Sequence, residues 1–163
     1  DDYMYLQQMR FGQRIKYMCD VDKECMDELV PAFVLQPLIE NAIIHGLSSS
    51  SKGGLIYVRC FKKEDKMWLS VADTGIGIER DKLKNIRRYI DNIFLSPDTK
   101  PAATAENDNK SDADNGIKRK TVGVGIGNIA YRIKGMYNNS GIKIYSVKDR
   151  GTVIQIFFDN YSK

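Results

Sequence analysis

The chain is 163 residues long, 42% apolar and 28% charged, with a formal net charge of +4, a balance that describes one globular domain with a sizeable core and excludes a wholly disordered chain. No apolar run approaches the roughly 20 residues that span a bilayer. Cys19, Cys25 and Cys60 have neither metal-site nor disulfide-framework spacing, and the densest basic run, Lys118-Arg119-Lys120, has no interleaved aromatics to stack on bases. These features predict a domain in a reducing, cytosolic setting that contacts neither membrane nor nucleic acid.

The opening DDYMYLQQMRFG, residues 1–12, reads as the end of a helix that starts before Asp1, so the sequence predicts a fragment whose main domain runs over 13–163. RIKYMCDV then alternates, with Ile15, Tyr17 and Cys19 on one face of a strand. From Ala32 to His45, Leu35, Ile39 and Ile43 recur at helical spacing, with Val34, Leu38 and Ala42 widening the buried face. Pro37 fits most comfortably in the first turn of such a helix, which predicts a start later than the apolar pattern.

Residues 55–63 and 67–73 form two strands around the polar Glu64-Asp65-Lys66, a predicted hairpin. A helix follows from about Glu79 to Phe94, with Leu83, Ile86, Ile90 and Ile93 on one face. The core signal then stops: Ser96 to Lys120 holds no aromatic and only Ile117 as a large aliphatic, which predicts a surface loop. A helix bearing Ile126, Ile129, Ile133 and Met136 restores order, and a last hairpin joins 141–149 to 152–159 around Asp149-Arg150-Gly151. The expected fold class is α+β: a two-layer sandwich of a mixed, mostly antiparallel sheet with helices on one face.

Four clusters carry chemistry. Glu40, Asn41 and His45 are polar side chains on an otherwise apolar helix, and Asn41 and His45, four apart, share a face. An Asn oxygen suits Mg²⁺, although a helix C-terminus capped by Gly46 explains the same residues. Asp73 ends a strand, and Gly75 and Gly77 follow where the backbone can approach something closely; an Asx turn is the simpler reading. Gly123, Gly125 and Gly127 with Asn128 precede a helix whose free amides and dipole suit a phosphate. Gly151-Thr152 is explained by its hairpin. A dinucleotide-binding motif fails on context, because the glycines follow a hydrophilic loop and not a strand.

The order of these pieces, E-N-A-x-x-H-G, D-x-G-x-G, a polar loop, G-x-G-x-x-N and G-T, resembles the N, G1, G2 and G3 boxes of the Bergerat-fold (GHKL) ATPases. Within that group the chain most resembles the catalytic ATP-binding domains of LytS/YesM-type sensor histidine kinases. Tyr5-Leu6, Arg10-Phe11-Gly12, Pro31, the run Leu35 to Ala42, Gly125-Ile126, Asn128-Ile129 and Arg132-Ile133 carry that likeness.

The resemblance implies ATP and Mg²⁺ as ligands. It implies that Asn41 ligates Mg²⁺, that Glu40 orients water and metal or acts as a base, and that His45 reaches toward phosphates or lid. Asp73 would read adenine, Gly75 and Gly77 would form the turn beside the ring, and Thr152 would support the adenine end. Gly123, Gly125, Gly127 and Asn128 would wrap the phosphates beneath an ATP lid at about 96–122.

His45 is the only histidine and lies in the nucleotide box, so the phosphate acceptor is expected on an upstream helical hairpin, of which residues 1–12 are the end or the linker to the catalytic domain. Relay would then pass to a response regulator, with a homodimeric, membrane-anchored parent implied. The alternatives are a gyrase- or MutL-type ATPase, an anti-sigma-type serine kinase, and a binding-only module that would have lost Asn41, Asp73 or the glycines.

Overall fold

The computed structural model describes residues 14–31, 33–48, 53–96 and 124–159. The expected helix tail at 1–12, nearly all of the expected lid, and Gly123 lie outside these residues.

Five strands form one sheet: β1 (Ile15–Val21), β2 (Gly54–Lys63), β3 (Lys66–Asp73), β4 (Ser140–Val147) and β5 (Gly151–Asp159), in spatial order β1-β2-β3-β5-β4. The β1–β2 pair is parallel and the other three pairs are antiparallel. Three helices accompany them: α1 (Leu35–Asn41), α2 (Arg80–Leu95) and α3 (Val124–Met136). A short 3₁₀ turn, Lys23–Cys25, follows β1. Among the described residues no helix is long and apolar enough to cross a membrane.

Local chemistry explains most of these boundaries. Glu64 and Asp65 take left-handed φ values of 53° and 58°, the geometry of a tight hairpin whose twist matches its strands. Pro37 sits in the first turn of α1, where its missing N–H costs no helical bond, and α1 starts at Leu35, later than the apolar pattern, as expected. The helix does not stop at Asn41: it widens into a π-helical turn over Ala42–Leu47, closed by the Ser48 N–H donating to the Ile43 carbonyl at 2.8 Å. Periodicity alone gives no sign of this widening, a feature common near functional sites.

Strand alternation divides the sheet into two faces. Ile56, Val58, Met67, Leu69, Val71, Ile156 and Phe158 point to one side, where they pack against Leu38, Ile39 and Ile43 of α1 and its π turn and against Ile129 and Ile133 of α3. Burying each such apolar side chain stabilises the fold by about 1.5–3 kcal/mol. A second cluster joins Leu83, Ile86 and Ile90 of α2 to Ile126 of α3 and Ile144 of β4. The opposite side carries an aromatic row, with ring centroids 6.1 Å apart for Phe61–Trp68 and 4.9 Å for Trp68–Phe157. The result is the two-layer α+β sandwich anticipated from the pattern, with its helices on one face.

Candidate functional site

Asp73 is the last residue of β3 and pairs in register with Thr152, the second residue of β5. Its half-buried carboxylate accepts the Gly75 N–H at 2.8 Å and also the backbone N–H of Thr152. Burial pushes its pKa above the ordinary carboxylate value, opposed by those two donors.

Glycine is required around it by close approach. A Cβ at Gly46 would lie 2.7 Å from Asp73 Oδ1, and one at Gly75 would lie 2.1 Å from the Gly46 carbonyl oxygen. That carbonyl, at the end of the π turn, is satisfied by the Ile76 N–H at 3.0 Å. Gly77 has φ +64°, and a Cβ there would meet the Val147 carbonyl oxygen at 2.1 Å. The loop 73–78 is therefore clasped between the π turn and the β4–β5 hairpin, whose Asp149 N–H donates to the Ile76 carbonyl at 2.7 Å.

The π turn adjoins the polar trio of the first cluster. Glu40 accepts a hydrogen bond from Gln36 Nε2 at 2.9 Å, one helical turn earlier. Asn41 is half-buried and faces α3: its Oδ1 and Nδ2 lie 3.5 and 3.6 Å from the Cβ position at Gly125. His45 is exposed on the π turn.

The sequence pattern puts Gly125, Gly127 and Asn128 ahead of a helix; the structure puts them inside its first turns, because α3 already begins at Val124. Gly125 is exposed beside Asn41, and first-turn amides of a helix have no intrahelical acceptor. Gly127 is buried against α2, where a Cβ would come within 2.7 Å of the Tyr89 ring. Its smallness has a packing reason that the motif alone does not reveal. Asn128 is exposed on α3.

Two further residues near this site carry no clear mark in the sequence. Tyr89 lies on the polar side of an amphipathic helix and is signalled only by the missing side chain at Gly127. Ser146 looks like an ordinary strand serine, yet its hydroxyl joins the 73–78 loop to the β4–β5 hairpin.

The arrangement fits a nucleotide triphosphate. An acceptor carboxylate on a glycine-lined wall suits an amine-bearing base edge, and the first-turn amides of α3 suit a polyphosphate. An amide oxygen beside that helix start, on Asn41, suits a hard cation that draws its remaining ligands from phosphate and water.

Comparison with known proteins agrees. A model of the histidine kinase-, DNA gyrase B- and HSP90-like ATPase family matches residues 26–162. Sensor protein LytS of Staphylococcus epidermidis is 37% identical over 84 residues, which cover 52% of this chain and 14% of that protein. Sensor histidine kinase YpdA of Escherichia coli is 31% identical over 85 residues, covering 52% of this chain and 15% of that protein. The chain thus matches only a small part of each relative's length.

Among solved structures, the catalytic domain of histidine kinase ThkA superposes with a TM-score of 0.58 at 14% identity, covering 97% of this chain and 88% of that one. The blue-light activated histidine kinase EL346 of Erythrobacter litoralis gives 0.58 at 14% identity, covering 98% and 40%. At such identities the structures establish the shared fold, the Bergerat ATP-binding sandwich. The chain belongs to the histidine kinase-, DNA gyrase B- and HSP90-like ATPase family, as a LytS-type ATP-binding domain.

Proposed function

We propose that this domain binds Mg²⁺–ATP and presents the γ-phosphoryl group to a histidine on another domain of a sensor histidine kinase. The observation that carries the reading is the placement of Asp73 on a glycine-lined wall, with Asn41 facing the start of α3. Asp73 accepts the exocyclic amine of adenine, and Gly75 and Gly77 let the loop pass beside the ring. Thr152 supports that end, while Gly125 and Asn128, with Gly123, line the phosphates at α3. Gly127 shapes the same helix start through its contact with Tyr89.

Asn41 holds Mg²⁺ through its side-chain oxygen, Glu40 orients water beside it or serves as base, and His45 reaches the phosphates. Mg²⁺, when bound, neutralises charge on the phosphate oxygens. The chain's own part is positioning, because phosphoryl transfer asks little covalent chemistry of the protein. The acceptor histidine lies on an upstream helical hairpin, the phosphate passes on to a response regulator, and the parent is a membrane-anchored homodimer.

Incubating this domain with labelled ATP tests the division of labour. No acid-labile phosphoprotein is expected from the domain alone, and transfer is expected once the upstream hairpin is supplied. Acid-labile phosphate on His45 would contradict the reading.

A further inference from the structure

Ser146 of β4 pairs with Thr152 of β5, which pairs in turn with Asp73 of β3. Three partners converge on its hydroxyl oxygen: the Ile78 N–H at 2.8 Å, the Gly151 carbonyl oxygen at 2.8 Å and Thr152 Oγ1 at 3.0 Å. A serine hydroxyl offers one proton and two lone pairs. The Ile78 amide can only donate, so it occupies one lone pair. The Gly151 carbonyl can only accept, so it takes the proton.

What remains for Thr152 is a lone pair, and its hydroxyl must therefore donate to Ser146. With its proton committed toward β4, Thr152 Oγ1 has only lone pairs left to offer. Register places Thr152 on the same face of the sheet as Asp73, whose carboxylate its amide already contacts. Two acceptors thus stand side by side at the end of β3.

We infer that Ser146 is a positioning residue that holds the Thr152 hydroxyl as an acceptor, so that the Asp73–Thr152 wall selects a base edge bearing an exocyclic amine over one bearing a carbonyl. The inference rests on the nucleotide reading above and adds to it a residue that sets base selectivity without touching the base. A carbonyl at that edge would set a third acceptor against the two of the wall, which is how hydrogen-bonding sites reject near-isosteres. Removing the Ser146 hydroxyl frees the Thr152 proton to rotate toward the pocket or toward the Asp73 carboxylate, and the preference weakens.

The test is calorimetric titration of the chain with ATP and with inosine 5′-triphosphate, which carries a carbonyl where ATP carries the amine. Wild type is expected to prefer ATP. Ser146→Ala is expected to shrink that preference by about tenfold, Thr152→Val to do the same, and the double variant to lose no more than either alone. A purely structural serine would weaken both nucleotides equally, and an unchanged ratio in Ser146→Ala overturns the inference. Should that variant fail to fold, an unchanged ratio in Thr152→Val overturns it equally. Wild type that binds neither nucleotide removes the nucleotide reading and this inference together, an outcome distinct from binding without selectivity.

Discussion

The two sides of the site are built differently. On the Asp73 side, the loop 73–78 is tied by hydrogen bonds to Gly46, Asp149 and Ser146, and Gly46, Gly75 and Gly77 have no room for a Cβ. On the Asn41 side, Gly125 is exposed and, among the described residues, has only the Asn41 amide near its Cβ position, and the start of α3 is steadied from behind by Tyr89. This contrast supports the proposed division, in which the sheet wall takes the base and the start of α3 takes phosphate and metal. Substitutions on each side should therefore fail in different ways.

The largest effect is expected from Gly75→Ala. Its Cβ would fall 2.1 Å from a backbone oxygen that cannot swing aside. We expect a loss of about 2–4 kcal/mol in urea unfolding, with nucleotide binding abolished; retention of wild-type stability would mean that the wall is softer than described. Asn41→Ala comes next. It should weaken magnesium-dependent nucleotide binding by on the order of ten- to a hundredfold while metal-free ADP binding, read by the same titration, changes little.

The pH response of Asp73 is subtler. Because burial raises its folded-state pKa above the unfolded value, protonation favours the fold. That contribution is fully present below the ordinary carboxylate pKa and is lost as pH rises through the raised one. Asp73→Asn, measured by denaturation against wild type, should therefore gain relative stability as pH goes from about 4 to about 7. Gly127→Ala should be the mildest change: the far end of the Tyr89 ring can move, and alanine in a helix recovers about 1 kcal/mol over glycine. Its Tm is expected close to wild type.

Much of the fold was legible from local chemistry. Both hairpins announced themselves through alternation around polar turns, and α2 through the spacing of Leu83, Ile86, Ile90 and Ile93. The partner of β1 was not legible, since parallel pairing with β2 crosses the whole segment from Asp22 to Gly53, about which local pattern says nothing. The π turn escaped because apolar spacing at Leu38, Ile39 and Ile43 reads the same whether the next turn is regular or wide. In the site, Asp73, Gly75 and Thr152 were legible as a strand end, a close approach and a hairpin start, and the structure brings them together. Ser146 and Tyr89 were not, because each is also tied to an element far along the chain, Ser146 to Ile78 and Tyr89 to Gly127.

The most direct measurement is calorimetric titration of ATP into wild type and into Asp73→Asn, with magnesium present. Saturable one-to-one binding to wild type is expected, with a loss of affinity of at least about tenfold in the variant and the fold retained. Equal affinity in the two proteins, or no binding to wild type with or without magnesium, would contradict the assignment of Asp73 as the reader of the base.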